Sequence, residues 1–214
     1  MNITLFGASG AIGQLVIQKA IQNGDRVIAY VRREDSISIS HKRLKIIIGE
    51  LSNERKMEEA IEDADVVIST LGPALDNSRK VKSLPIASGH KMIIHVMEKM
   101  NIKRLITLGT PTVKAKEDKK QLITVLPGIM AKMLFPTGYQ EMKEIEQLVK
   151  QSTLDWTVVR IINPNLKQSG KGYNISLGNT NGKMGVSRDN VAQCMYDIAQ
   201  RNTYQKQMPI VFNK

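Results

Sequence analysis

The chain has 214 residues, with 31 Lys and Arg against 20 Asp and Glu, which gives a formal charge of +11 and a pI near 9.7. An apolar fraction of 42% is too high for a disordered chain, and no apolar run approaches the roughly 18 residues of a membrane helix. The single Cys194 excludes an internal disulfide and a cysteine-based zinc site. The N-terminus lacks the basic and apolar regions of a signal peptide, so a cytoplasmic protein of one domain is expected.

The positive charge is concentrated in the last two thirds of the chain. Residues 1–78 carry a net charge of −2, residues 79–150 carry +8 and residues 151–214 carry +5. A basic surface is compatible with nucleic-acid binding, but 4% aromatic residues and the lack of a zinc finger or helix-turn-helix pattern argue against it. We therefore expect neither nucleic acid nor a membrane as a partner, and interpret the charge as a solvated surface that attracts an anionic cofactor.

Strand-like and helix-like segments alternate through the first half of the chain. The alternation rests on apolar runs rich in β-branched residues and on apolar side chains at helical spacing. The order is strand Asn2–Phe6, helix Ala11–Asn23, strand Val27–Val31, strand Leu44–Ile48, helix Asn53–Glu62, strand Asp65–Ser69, helix Ser83–Met100 and strand Lys103–Leu108.

The second half is less regular. Its predicted order is a charged connection Val113–Lys120, an apolar stretch Leu122–Leu134, helix Tyr139–Gln151, strand Trp156–Ile162, a hairpin around Tyr173–Leu177, helix Ser187–Gln200 and strand Pro209–Phe212. Repeated strand–helix units predict an α/β fold, a Rossmann-type doubly wound parallel sheet with a small C-terminal lobe. We expect one NAD(P)-binding domain over residues 1–214, with a core of about 1–162 and a substrate-side part of about 163–214.

A glycine-rich loop lies between the first strand and the first helix, with the sequence GASGAIG. A dinucleotide site needs a tight turn off the strand, backbone close to the pyrophosphate and a helix packed on the strand, and three glycines at this spacing meet those needs. The N–H groups at the start of the helix would donate hydrogen bonds to the phosphate, and the helix dipole would favour its negative charge. The alternative is a glycine-rich turn without a ligand. The expected cofactor contacts in the loop are Gly7, Ser9, Gly10, Ala11, Ile12 and Gly13.

The G-x-x-G-x-x-G spacing resembles that of the short-chain dehydrogenase/reductase superfamily. Along nearly the whole chain, the segments YVRR, GEL, DVVISTLG, RLITLGT and LDWTVVR are similar to its atypical branch of NmrA-like proteins and biliverdin reductase B or flavin-reductase-like enzymes. The resemblance implies a nicotinamide dinucleotide as cofactor. It implies Glu50 and Leu51 near the adenine, Thr70, Leu71 and Gly72 along the path to the nicotinamide, and Thr110 at the end of the fifth strand.

Two arginines follow the second strand, where NAD-selective folds place an acidic residue for the ribose 2′-hydroxyl. Arg32 and Arg33 would instead bind a 2′-phosphate through charge-assisted hydrogen bonds, so NADP(H) is favoured. NAD(H) stays open as the alternative, with Glu34 or Asp35 turned inward, or with both arginines as surface charges.

One Tyr-x-x-x-Lys pair, Tyr139 and Lys143, has the spacing of the superfamily's proton donor and its partner lysine. The flanking register argues against it, because Glu146 and Thr157 match the family pattern while the lysine position falls on Met142. The pair is therefore either catalytic, after a small helix shift, or an exposed helix face in which Lys143 pairs with Glu146. If Tyr139 is not the acid, Thr110 is expected to be a polar contact in the pocket.

The sequence favours an oxidoreductase that passes hydride from NADPH to a small planar acceptor such as a flavin, quinone or carbonyl compound. The alternative is a non-catalytic NADP(H)-sensing regulatory protein of the NmrA-like kind. A monomer or a homodimer is expected, and no metal site, because His90 and His95 do not share a helix face. Cys194 is expected in the core, since it shares a helix stripe with Val191 and Ile198.

Overall fold

The computed structural model describes residues 1–73, 83–110, 115, 118, 132–165, 172–178 and 185–214. The predicted connection Val113–Lys120 and the predicted apolar stretch Leu122–Leu134 fall largely outside these residues.

The described part of the chain contains ten strands, a short 3-10 helix at Glu34–Ser36 and five α-helices whose two ends are both described. The strands are β1 Asn2–Phe6, β2 Arg26–Val31, β3 Leu44–Ile48, β4 Val66–Ser69, β5 Arg104–Gly109, β6 Asp155–Ile161, β7 Pro164–Asn165, β8 Tyr173–Ser176, β9 Val186–Ser187 and β10 Ile210–Asn213. The helices are α1 Ala11–Gln22, α2 Glu54–Ile61, α3 Pro85–Lys99, α4 Pro136–Gln151 and α5 Arg188–Arg201. Helix α4 begins three residues before its predicted start, because Pro136 occupies its first turn as Pro85 does in α3.

Eight strands form one sheet in the order β3-β2-β1-β4-β5-β6-β10-β8. All pairs are parallel except the last, between β10 and β8. The chain builds outward from β1 to β3 and then crosses to β4 on the other side of β1. This change of direction is the switch point at which open α/β sheets bind their ligands. The predicted Rossmann-type fold is confirmed.

The described part of the C-terminal segment does not form the predicted hairpin. Tyr173–Ser176 instead forms an antiparallel pair with β10. In this pair Ile210 lies opposite Ser176 and Asn213 lies opposite Tyr173. Strand β10 lies beside β6 and would otherwise expose an unpaired edge, so pairing with β8 satisfies its backbone groups. Strands β7 and β9 form a separate two-stranded sheet.

Helices cover both faces of the sheet and form two cores. Helices α1 and α5 pack together on one face, while α2, α3 and α4 pack on the other. Cys194 is fully buried in the first core beside Val191 and Ile198, which confirms its predicted role in packing. Burial raises the pKa of the Cys194 thiol, so the group stays protonated. None of the helices described here is long and apolar enough to cross a membrane.

Candidate functional site

The glycine loop makes a tight turn that only glycine permits. Gly7 has a φ of +74°, in the left-handed region, and its carbonyl accepts the N–H of Gly10 at 3.0 Å. A Cβ on Gly13 would overlap the Gly7 carbonyl oxygen and lie 2.8 Å from the Ala8 Cα. The start of α1 therefore packs directly on the end of β1, and side chains at either position would separate them.

The N-terminus of α1 is open to an anion. Its first residue follows Gly10, which has no side chain to cap the helix, and the first turn contains no acidic residue. By contrast, Asn53 caps α2 and Ser187 caps α5, each accepting a backbone N–H of its helix. The N–H groups and the dipole at the start of α1 are those that would hold a phosphate.

The end of β4 supports the same loop. The Thr70 hydroxyl donates to the Gly7 carbonyl at 2.9 Å, and a Cβ on Gly7 would lie 2.8 Å from the backbone N of Leu71. The glycine loop and the Thr70–Leu71 segment are thus in contact at the switch point of the sheet. This contact fixes the position of the first turn of α1.

A cleft of about 550 Å³ opens beside the glycine loop, a size typical of small-molecule sites. Six of the residues expected to bind the cofactor line it, namely Gly7, Ser9, Arg32, Glu50, Leu51 and Leu71. The other expected residues lie outside its described lining: Gly10, Ala11, Ile12, Gly13, Arg33, Thr70 and Gly72. The ends of β1, β2, β3 and β4 therefore contribute to one cavity, as strand carboxyl ends do at a switch point.

The two arginines after β2 have different surroundings. Arg32 is exposed at the cleft and makes no ion pair with the residues the structure describes. Arg33 lies outside the cleft lining, with its side chain 80% exposed and its Nε 3.9 Å from an Asp35 oxygen. Arg32 is thus the arginine available to an anionic group in the cleft.

Tyr30 of β2 also lines the cleft, although the sequence did not predict a role for its side chain there. It is buried, and its hydroxyl donates to the Glu50 carbonyl at 2.8 Å. Burial, with a smaller contribution from the Glu50 carboxylate, raises the pKa of Tyr30 to about 12, so the phenol remains a donor. A Cβ on Gly49 would overlap this phenol. The glycine directly after β3 was the available signal for this close approach.

The first two turns of α3 form the opposite wall of the cleft, which the sequence also did not indicate. The contributing residues are Pro85, Ile86, Ser88, Gly89 and Met92. Gly89 brings the helix close to the segment after β3, because a Cβ there would lie 2.6 Å from the Leu51 Cδ1. The wall is largely apolar and suits a flat, uncharged ring.

Neither Tyr139 nor Lys143 belongs to the described lining of this cleft. Tyr139 is partly buried on α4, and the Lys143 Nζ lies 2.7 Å from a carboxylate oxygen of Glu146. Lys150 contacts the other oxygen of Glu146 at 2.6 Å. Burial favours the neutral form of Glu146, but the two ammonium groups outweigh it and lower its pKa. Thr110 is partly buried directly after β5.

The described residues contain no group of three or more His, Cys, Asp or Glu side chains that could hold a metal ion. His90 is buried among neutral partners, and His95 is exposed near Glu54. The uncapped start of α1 and Arg32 in the cleft lining are the features that suit an organic ligand with a phosphate group.

Comparison with known proteins finds a family whose model matches most of the chain and a curated relative that matches part of it. The model of a family described as NAD(P)H-binding matches residues 7–202. A sterol-4-alpha-carboxylate 3-dehydrogenase, decarboxylating, from Dictyostelium discoideum is 33% identical over 84 residues, which make up 39% of this chain and 26% of that protein. The match therefore spans about a quarter of the curated relative.

Solved structures share the fold along the whole chain. A short-chain dehydrogenase/reductase from Veillonella parvula in complex with NADP has a TM-score of 0.77 at 21% identity, with 98% of this chain and 93% of that chain covered. An anaerobillin reductase from Escherichia coli O157:H7 has a TM-score of 0.77 at 18% identity, with 100% and 97% covered. At these identities the likeness establishes the fold.

Proposed function

We propose, from the premise that the chain belongs to the NAD(P)H-binding family, that it is an NADP-preferring oxidoreductase that reduces a small planar acceptor such as a flavin, quinone or carbonyl compound. The observation that carries the proposal is the cleft that joins the glycine loop to Arg32. The match to the family and the fold of the solved neighbours also support the resemblance to the atypical short-chain dehydrogenase/reductase superfamily.

The residues present fit a dinucleotide. The close approach of Gly13 to the Gly7 carbonyl keeps the loop tight, which would let its backbone N–H groups come close to a pyrophosphate. Arg32 would pair with a 2′-phosphate, and the apolar α3 wall with Leu51 would hold the adenine. Glu50, Leu71, Thr70 and Gly72 keep the roles that the resemblance implies, as proposals.

A bound NADPH supplies the hydride, so the protein has to bind, orient and exclude water around the reacting groups. Thr110 is proposed as a polar contact to the acceptor, because it follows β5 at the carboxyl edge of the sheet. Tyr139 and Lys143 stay proposed as an acid pair only if α4 shifts. Lys143 would then have to leave its ion pair with Glu146.

A second candidate, a non-catalytic NADP(H) sensor, is favoured by α4. The position of the family lysine is Met142, which is buried, and Lys143 is held by Glu146. A chain that binds the dinucleotide without a proton donor would report redox state through cofactor binding alone.

The experiment that tests both is a titration followed by a turnover assay. NADPH and NADH are titrated into the purified protein, and NADPH oxidation is then followed by absorbance with quinones, flavins and aldehydes. Tight NADPH binding with turnover supports the oxidoreductase, and tight binding without turnover on any acceptor supports the sensor. Binding of neither dinucleotide contradicts both, and salt-dependent DNA binding without dinucleotide would indicate a nucleic-acid protein.

We also propose that residues 1–214 form a single unit with a core of about 1–162 and a smaller substrate-side part of about 163–214. The pairing of β10 with β6 supports a single unit, because the end of the chain completes the main sheet.

A further inference from the structure

The first turn of α3 is held by a buried carboxylate from another helix. Glu141 of α4 is 2% exposed, and its two carboxylate oxygens accept the backbone N–H groups of Ile86 at 3.1 Å and Ala87 at 2.6 Å. The residue before α3, Leu84, offers no capping side chain. Glu141 therefore satisfies N–H groups that would otherwise be unpaired at the start of the helix.

A buried histidine holds the same turn from its other end. His90 is fully buried, and its Nδ1 lies 2.9 Å from the Ile86 carbonyl. Because a carbonyl only accepts, Nδ1 carries the proton, and Nε2 accepts the hydroxyls of Ser69 and Thr107, each at 3.1 Å. Burial lowers the pKa of His90 to about 4, which keeps the ring neutral and Nε2 an acceptor.

The hydrogen bonds of Glu141 and His90 share one residue, Ile86, which also lines the cleft. Ile86 donates its N–H to Glu141 and presents its carbonyl to His90, while its side of α3 lines the cleft. On the far side, Ser69 directly precedes Thr70, whose hydroxyl is bonded to Gly7. Buried and partly buried hydrogen bonds, together with the peptide bond between Ser69 and Thr70, thus connect α4, the α3 wall and the glycine loop.

We propose that Glu141 and His90 are positioning residues for the dinucleotide, which hold the first turn of α3 at the distance from Leu51 that the adenosine half requires. The inference rests on the proposed function. Neither side chain belongs to the described lining of the cleft, so both act through Ile86 and its neighbours. Loss of the Glu141 carboxylate frays the turn, and the wall no longer presents a fixed surface to the ring.

The test uses near-isosteric changes with matched controls. Glu141→Gln keeps one oxygen acceptor, Glu141→Ala keeps none, and Thr107→Val removes one hydroxyl from Nε2. The controls are Glu144→Gln, an exposed carboxylate on the same helix, and Thr4→Val, a buried strand threonine whose hydroxyl is bonded to the Ala60 carbonyl.

Dissociation constants for NADPH and for 2′,5′-ADP are measured at a temperature where circular dichroism shows every variant fully folded. We expect both constants to rise about tenfold in Glu141→Ala and by a smaller factor in Glu141→Gln and Thr107→Val, because a buried donor or acceptor loses its partner. The controls should stay within about twofold of the wild type. If Glu141→Gln binds both ligands more tightly than Glu141→Ala does, the oxygen acceptor at position 141 is the group that supports binding.

A purely structural role predicts a different result: lower melting temperatures with unchanged affinity for both ligands. That result overturns the inference and leaves the proposed function intact. If the wild type binds neither dinucleotide, the proposed function fails and the inference fails with it. If Glu141→Ala does not fold, amide hydrogen exchange of the wild type is measured with and without NADPH. The proposal requires that NADPH slows exchange of the amides in residues 85–90. Unchanged exchange there contradicts the proposal.

Discussion

Arg32 is the side chain on which the choice between the two dinucleotides is expected to depend. We predict that Arg32→Ala weakens NADPH binding by about 1.5–3 kcal/mol, the range for hydrogen bonds to charged groups, and leaves NADH binding nearly unchanged. The reason is that only NADPH carries the 2′-phosphate that a guanidinium would pair with. Parallel fluorescence titrations with the two dinucleotides measure the difference.

Arg33→Ala is the matched control for this prediction. Arg33 lies outside the described cleft lining and near Asp35, so its removal should change neither affinity by more than about twofold. Equal affinity of the wild type for NADPH and NADH, or a stronger response to NADH, would contradict the role of Arg32.

Tyr139 tests whether the acid pair of the superfamily operates in this chain. General acid–base catalysis usually contributes about 10²–10⁴-fold, so Tyr139→Phe would lower turnover of a carbonyl substrate at least ~100-fold if the phenol were the donor. We predict a loss smaller than tenfold at unchanged NADPH affinity, because Tyr139 is not in the described lining and Lys143 is paired with Glu146.

Lys143→Met is the companion variant, since it copies the residue at 142 and removes the ammonium group. A small loss of turnover in both variants agrees with a site in which Tyr139 and Lys143 do not supply the proton. A loss of two or more decades in Tyr139→Phe, with NADPH affinity unchanged, would reinstate the pair as catalytic.

At the scale of elements, the junction between β1 and α1 depends on Gly13. We predict that Gly13→Ala destabilises the fold by about 1–3 kcal/mol, because the new Cβ meets backbone atoms of Gly7 and Ala8 that cannot move aside. This cost exceeds the roughly 1 kcal/mol that alanine gains over glycine in a helix. Urea unfolding measures the change, with Gly72→Ala as control, since no atom of the described residues lies within 4 Å of a Cβ there. A stabilised Gly13→Ala protein would contradict the tight junction.

The glycine loop and the strand ends could be predicted from the sequence because their signals are local. Gly7, Arg32, Glu50 and Leu71 each follow an apolar run, and parallel strands bring such positions to one edge of the sheet. The α3 wall and Glu141 could not be predicted. Glu141 is 54 residues from Ala87 along the chain, and its partner is a backbone N–H, which leaves no sequence signal.

The pairing of β8 with β10 could not be predicted from the sequence for a related reason. A glycine- and asparagine-rich stretch indicates a turn, but it does not show which strand edge is free. The free edge of β10 exists only because β10 joins the sheet beside β6, about 50 residues away in sequence. Local patterns therefore predicted the elements, and long-range packing decided their partners.

At the scale of the whole molecule, the two halves of the site come from different parts of the topology. The glycine loop and Arg32 belong to the strands on one side of the switch point, and α3 follows β4, the first strand on the other side. The cleft thus exists only when both parts of the sheet are assembled. Cofactor binding should for this reason stabilise the complete fold.

Global stability should also depend on pH through His90, whose hydrogen-bond partners are uncharged. Its pKa is about 4 in the folded protein, because burial disfavours the charged ring, against about 6.5 when exposed. Between these values the unfolded chain binds more protons, so the contribution is fully present above pH 6.5 and is lost as the pH falls to about 4. The difference corresponds to about 3 kcal/mol of unfolding free energy.

We predict that His90→Gln removes most of this dependence, whatever its stability at neutral pH. Urea unfolding at pH 7 and pH 4.5 measures the loss in each protein, and the wild type should lose about 2–3 kcal/mol more than the variant. His95→Gln is the control: His95 lies on the same helix but is 58% exposed, so its removal should leave the wild-type dependence in place. Equal losses in wild type and His90→Gln would show that His90 accepts a proton in the folded protein at ordinary pH, and the neutral acceptor assigned to Nε2 would be wrong.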